Sequence, residues 1–137
     1  MKDKVKSYVY IFTNESFRDD VVKIGTSTLP LDQLIEELDN EDLPMPFKPY
    51  AIIQTDDFEL LEEHIHQLLD KRPEEHWNKA LGFYKLHPAI AFGLLYNSLA
   101  DLRMKDCVVI VYDNGEPRQV YPNVDTLIAE QGITLQQ

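Results

Sequence analysis

The sequence predicts an α+β fold, in which a small three-stranded sheet flanked by helices is followed by a C-terminal β-hairpin and helix. Two observations predict this class. Short runs rich in Val, Ile, Tyr and Phe, typical of strands, alternate with segments in which Leu and Ile recur at helical spacing. The sequence Asp113-Asn114-Gly115 lies between two apolar runs, and Asn-Gly in that position is a strong signal for a β-hairpin.

The first half of the chain carries the predicted three-stranded sheet. We expect strands over 6–14, 20–25 and 50–55, and helices over 31–39 and 57–71. Pro30 favours the start of the first of these helices, because proline is well tolerated in a first helical turn. Three prolines between residues 44 and 49 exclude a helix there, since each lacks a backbone donor.

The second half of the chain carries the remaining predicted helices and strands. We expect an extended piece over 82–86, a helix over 88–103, strands over 107–112 and 117–121, and a helix over 124–131. The helix that Pro88 opens is apolar nearly all round, so we expect it to be sandwiched between other elements. Pro117 predicts that the last strand lies at an edge or that its pairing starts later, because proline has no backbone N–H to donate.

Composition limits the classes of protein to which this chain can belong. At 137 residues and 44% hydrophobic residues, the chain is expected to form a module over 1–90, with an extension over 91–137 packed on the same body. The net charge of −11 disfavours DNA as a partner, because phosphate contacts supply most non-specific affinity. The single Cys107 excludes an intrachain disulfide. No long apolar stretch occurs, so we expect a cytoplasmic protein that does not bind membranes.

Several short motifs follow one another over about residues 6–90. They are Tyr8 to Asn14, Val22 to Thr26, Pro44-Met45-Pro46-Phe47, Leu61-Glu62 and Phe83-Tyr84. In this order they resemble the GIY-YIG nuclease superfamily, and most closely its phage and bacterial branch. The resemblance implies the fold given above and a metal-dependent DNA endonuclease activity, with Mg²⁺ as the cofactor.

The resemblance also implies roles for individual residues. Tyr10 would act near the nucleophile, while Tyr8, Lys23 and Gly25 would lie beside the DNA phosphate. Glu62 would be catalytic by holding the Mg²⁺ ion. Phosphodiester hydrolysis benefits from such a set, because a metal polarises the phosphoryl oxygen and cations neutralise the developing charge.

The chain departs from the pattern at two positions. An arginine is expected on the first helix about nine residues after Gly25, and Leu34 occupies that place. Residues 24–47 contain no Lys or Arg and six carboxylates. Gly82 stands where a glutamate often precedes the aromatic pair in this branch. We therefore expect an incomplete catalytic set with weak or no DNA cleavage, and the sequence leaves open whether the protein is an enzyme.

Each candidate residue has a structural alternative. Tyr8 and Tyr10 also fit a half-buried aromatic pair, and Gly25 fits a simple strand-to-loop turn. Glu62 and His66, one helical turn apart, fit either a metal pair or a solvated helix flank. The alternative function is a non-catalytic interaction module, whose protein partner or second copy would bind the acidic first helix or the C-terminal hairpin.

Overall fold

An antiparallel sheet of seven strands forms the centre of the fold. The computed structural model describes residues 7–16, 20–38, 47–55, 58–72, 76–78, 82–102, 107–113, 116–123 and 125. The strands are β1 (Ser7–Asn14), β2 (Val22–Ser27), β3 (Phe47–Thr55), β4 (His76–Asn78), β5 (Phe83–Tyr84), β6 (Val108–Asp113) and β7 (Glu116–Tyr121). The helices are α1 (Leu31–Leu38), α2 (Phe58–Asp70) and α3 (Pro88–Asp101). The predicted α+β class is confirmed.

The strands are arranged in the order β4-β5-β2-β1-β3-β6-β7. The central strand β1 pairs Tyr10 with Gly25 of β2 on one side and with Ile52 of β3 on the other. The sheet exceeds the three strands expected from the sequence because β5 pairs with the free edge of β2 and the C-terminal hairpin pairs with β3. As predicted from Pro117, β7 is an edge strand.

Helices cover both faces of the sheet, and the alternation of β1 separates two cores. Val9 and Ile11 point to the face covered by α2 and α3, where they pack in one cluster with Leu61 and Leu95. We call this side the α2 face. Tyr8, Tyr10 and Phe12 point to the opposite side, where Leu34 of α1 joins their cluster. We call this side the α1 face.

Strand β3 begins at Phe47, three residues before the start expected from the sequence. It therefore includes Pro49, which pairs with Phe12 beside an irregularity in the β1–β3 register. The pairing of β3 with β6 runs only from Ala51 to Gln54, so Pro49 lies outside the part of β3 that is bonded on both sides. A proline is tolerated there for that reason.

Three further predictions have different outcomes. His76 and Trp77, which follow a polar stretch and were interpreted as part of a loop, belong to β4. The expectation that α3 is sandwiched is wrong, because Ile90 is 49% exposed while Leu95 and Leu99 are fully buried. The helix predicted over 124–131 falls almost entirely outside the described residues. Among the described helices, each is too short or too polar to pass through a bilayer.

Candidate functional site

Tyr10 and Gly25 form a tight pair on the α1 face. They are directly opposite each other in the β1–β2 ladder. A Cβ atom placed on Gly25 would lie 2.5 Å from the Tyr10 hydroxyl oxygen and 2.7 Å from the ring carbon that bears it. Gly25 is therefore required because the Tyr10 ring lies directly over it, and a strand glycine is typical of such close approach.

Tyr8 lies on the same face, beneath the segment that leads into α1. Its hydroxyl donates a hydrogen bond to the backbone carbonyl of Leu29. Tyr8 is 8% exposed and Tyr10 is 6% exposed, and both pack in the cluster that contains Leu34. The two tyrosines therefore lie in a packed interface beneath α1.

The surroundings of these tyrosines disfavour negative charge. Burial raises the pKa of the Tyr10 hydroxyl, and the Glu37 carboxylate raises it further. Burial also raises the pKa of the Tyr8 hydroxyl, with a second contribution from Asp32. Both hydroxyls therefore remain protonated at neutral pH, and the same carboxylates would repel a phosphate that approached this face.

Lys23 lies toward the edge of the α1 face. Its side-chain nitrogen is 4.7 Å from the centre of the Phe83 ring, within the range of a cation–π contact. Phe83 in turn stacks on Phe47, with 6.3 Å between the ring centres. This contact places the ammonium group over an aromatic ring of the neighbouring strand, at the edge of the cluster that contains the tyrosines.

Glu62 lies on the α2 face. Its carboxylate accepts a hydrogen bond of 3.0 Å from the Thr26 hydroxyl, and His66 Nε2 is 3.9 Å from the same oxygen. These groups surround a recess of about 10 Å³, whose walls include Ile24 and Ile65. A space of that size is close to the minimum that holds one water molecule.

The sequence argument did not identify Thr26 as a partner of Glu62. The signal was present in the alternation of β2, because Val22, Ile24 and Thr26 share one face of that strand. Burial of Val22 and Ile24 in the core of the α2 face places Thr26 beside α2. Which helix covers that face cannot be read from the alternation alone.

The sheet separates the predicted site residues into two groups. Tyr8, Tyr10 and Lys23 project to the α1 face, whereas Glu62 lies beyond the opposite face. Gly25 contributes backbone to the Glu62 recess, and its open side is covered by Tyr10. The structure thus brings Glu62 together with Thr26 and His66, and it does not bring Glu62 to the tyrosines.

Glu62 is the carboxylate at this recess that could hold a Mg²⁺ ion. Mg²⁺ prefers six oxygen ligands, commonly one or two carboxylates with water and substrate phosphate. Among the described residues that line the recess, Glu62 is the one carboxylate, and it accepts a hydrogen bond from Thr26. Within the described part of the chain, no group of three or more His, Cys, Asp or Glu side chains is arranged to hold a metal.

Comparison with known proteins assigns the family. The family model described as the T5orf172 domain matches residues 7–86, which is more than half of the chain. No curated protein and no solved structure shows a significant match. The T5orf172 domain is a different family from GIY-YIG, although such domains are related to nuclease-like folds, so the resemblance inferred from the sequence motifs is corrected. The chain belongs to the T5orf172 domain family, and it is a nuclease-like module.

Proposed function

We propose that this protein is a nuclease-like module with weak or no capacity to cleave DNA phosphodiester bonds. The observation that carries the proposal is the position of Glu62 on the α2 face, while the tyrosines and Lys23 lie on the α1 face. A phosphate bound at one group would not meet the other. Hydrolysis needs the metal and the charge-stabilising groups to act on the same phosphorus centre.

The electrostatics of α1 support the same proposal. Asp32, Glu36 and Glu37 are exposed on this helix, and Leu34 faces the tyrosine cluster. A phosphate at the α1 face would therefore approach carboxylates. Removing one group that stabilises transition-state charge typically lowers a rate by about 100- to 1000-fold. The charge of this face thus argues for a slow reaction.

The proposal can be tested with supercoiled plasmid and purified protein in Mg²⁺ or Mn²⁺, with EDTA as the metal-free reference. We expect cleavage at or only slightly above the EDTA reference. Glu62→Ala tests the role of the carboxylate. Glu63→Ala is the matched control, because Glu63 is the exposed neighbour on the same helix.

Rapid nicking that is lost in Glu62→Ala and retained in Glu63→Ala would contradict the proposal, since it would mean that the carboxylate supports an efficient reaction from its present position. Slow nicking that depends on Glu62 would support a weak nuclease with Mg²⁺ bound at that residue. Slow nicking that both variants retain would indicate a contaminating nuclease and would leave no activity to assign to Glu62.

A second candidate function is an interaction module that binds a basic protein surface through α1. Asp32, Glu36 and Glu37 are exposed, and no Lys or Arg occurs between residues 24 and 47. An uncompensated acidic face is usually solvated, but it also complements a basic partner and speeds association with it. A second copy of this acidic chain would not supply that complementary charge.

This second candidate predicts binding to a lysine-rich peptide at low salt. Changing Asp32, Glu36 and Glu37 together to their amides should weaken binding. A control variant removes three exposed carboxylates elsewhere, through Glu59→Gln, Glu63→Gln and Glu116→Gln. Equal loss in both variants would mean that net charge alone attracts the peptide, and it would exclude α1 as a specific docking surface.

A further inference from the structure

An open cavity of about 400 Å³ lies between α3 and the strands β3, β6 and β7. Its walls include Tyr50, Phe92, Tyr96, Arg118, Gln119 and Tyr121. Tyr50 alone among these six falls within the segment that matches the family model. The volume is in the range of sites that hold small molecules and cofactors. It is a different place from the Glu62 recess, because the two share no lining residue.

Aromatic rings give this cavity a fixed inner wall. Tyr50 and Phe92 meet edge to face, with 6.5 Å between ring centres and 71° between ring planes. Phe92 and Tyr96 repeat the arrangement at 5.4 Å and 78°. Phe92 is 7% exposed, whereas Tyr50 and Tyr96 are half-buried and present ring surface to the cavity. Such rings stack on planar bases of any sequence.

Strand β7 gives the cavity a cationic and polar part. Arg118 and Gln119 of β7 are exposed at the cavity, and none of the described residues that line it is acidic. That is notable in a chain of net charge −11. Among the described residues, no ion pair joins Arg118 to a carboxylate. A guanidinium group matches the geometry of phosphate through paired hydrogen bonds, and it also stacks on rings.

The Tyr50 hydroxyl completes the polar set. Burial raises the pKa of this hydroxyl, and the nearby positive charge of Arg118 acts in the opposite direction. The hydroxyl is therefore protonated at neutral pH and can donate a hydrogen bond. Tyr50 and Arg118 line the same cavity, so the hydroxyl and the guanidinium group can both contact one ligand.

We propose that this cavity binds a nucleotide unit, with the base against the aromatic wall and the phosphate on Arg118. The ligand is either a free nucleotide or one nucleotide of a single-stranded nucleic acid, because the chemistry recognised is the same. Gln119 offers an amide that can both donate to and accept from a base edge. This inference is independent of the proposed function, since none of these residues takes part in the Glu62 or tyrosine groups.

The test is isothermal titration calorimetry of the full chain in EDTA, which separates binding from any cleavage. The ligands are dAMP, deoxyadenosine and an oligo-deoxyadenylate. We expect saturable binding of dAMP, and binding of deoxyadenosine that is weaker by about tenfold or more, because it lacks the charged partner of Arg118. A tighter complex with the oligonucleotide than with dAMP identifies a single strand as the source. Equal or weaker binding of the oligonucleotide identifies the free nucleotide.

Two variants and a control test the assignment of the walls. Arg118→Gln should weaken dAMP binding by about tenfold and leave deoxyadenosine nearly unchanged. Tyr96→Ala should weaken both ligands, since it removes a stacking ring. Lys71→Gln removes the same unit charge from an exposed position at the end of α2 and should change neither affinity by more than about twofold.

Two results would overturn the inference. One is the absence of saturable dAMP binding at millimolar concentration to a protein whose far-ultraviolet circular dichroism shows that it is folded. The other is equal weakening of dAMP binding by Arg118→Gln and Lys71→Gln, which would mean that the general charge of the protein controls binding. Arg118 is exposed, so its substitution is not expected to disturb folding, and the test remains interpretable.

Discussion

The pairing of Tyr10 with Gly25 can be tested by Gly25→Ala, a change of one methyl group. The new Cβ would lie 2.5 Å from the Tyr10 hydroxyl oxygen, whereas ordinary van der Waals contact begins at 3.4 Å. The ring would have to move by about 1 Å. It has little room, because Tyr10 is 6% exposed and its ring centre is 4.8 Å from that of Phe12.

The expected magnitude follows from two opposing effects. Overpacking of a core typically costs about 1–3 kcal/mol. Alanine gains about 0.5–1 kcal/mol over glycine in a strand, because the unfolded chain loses less freedom on folding. The middle of the two ranges gives a net loss in unfolding free energy of about 1 kcal/mol. For a urea m-value of about 2 kcal/mol per M, the unfolding midpoint falls by about 0.5 M.

Urea unfolding followed by circular dichroism measures this change, and Gly93→Ala is the matched control. Gly93 lies inside α3, and a Cβ there would be 3.7 Å from the Tyr96 hydroxyl oxygen, an ordinary contact. Gly93→Ala should therefore raise the unfolding free energy by about 0.5–1 kcal/mol, because glycine is a poor helix former. Gly25→Ala and Gly93→Ala are thus expected to change stability in opposite directions.

A double-mutant cycle isolates the contact. In a Tyr10→Ala background the ring is absent, so only the gain of about 0.5–1 kcal/mol from alanine over glycine should remain. The coupling energy is then the overpacking cost of about 1–3 kcal/mol. The reasoning would be refuted if Gly25→Ala were as stable as the wild type. It would also be refuted if the loss persisted without the Tyr10 ring, since the cause would then lie in the backbone of β2.

Three further predictions follow from burial. Because burial raises the pKa of Tyr8 and Tyr10, the folded state keeps protons that the unfolded chain releases above pH 10.0, the ordinary tyrosine pKa. Their contribution to stability is fully present below that pH and is lost as the pH rises through the raised pKa of each tyrosine. Urea midpoints should therefore decrease above about pH 10. A flat or rising profile would contradict this prediction. Leu61→Ala should lower the unfolding free energy by about 2–5 kcal/mol, because Leu61 is fully buried. Leu60→Ala is the control and should cost less than about 1 kcal/mol in the same urea assay, because Leu60 is 41% exposed. Similar losses in both variants would contradict the difference in burial. Cys107, 2% exposed, should react with Ellman's reagent slowly in the native protein and rapidly in urea, and a fast native reaction would show that β6 opens readily.

Hydrophobic periodicity predicted the elements that are long enough for the pattern to show which side is buried. The alternation in β1 and the leucine spacing of α1 and α2 give both the element type and the buried side. The extended piece expected over 82–86 contains β5, but β4 was not predicted, because three residues are too few to show a period. The pairing of β5 was not predicted either. It depends on the unpaired backbone groups at the edge of β2, which are a property of the assembled sheet.

The sequence did not determine which candidate site residues lie together, for a related reason. Side chains alternate along β1, so the sequence already implies that Tyr10 and Ile11 project to opposite faces of the sheet. Glu62 belongs to α2, which covers the face of Ile11. The missing information was which helix covers which face. That assignment depends on the crossing of the chain between β2, α1 and β3, and local sequence does not determine it. Motif order therefore suggested a group of residues that the sheet divides.

Leu34 is best understood together with Tyr10. It is 5% exposed and packs in the same cluster as Tyr8, Tyr10 and Phe12. A guanidinium at that position would be buried among apolar and aromatic groups, at a cost of several kcal/mol unless a carboxylate paired with it. The absence of an arginine and the burial of the tyrosines are thus consequences of one packing arrangement. An open phosphate site on this face would require α1 to move away from the sheet, and exchange of Leu34 alone would not create it.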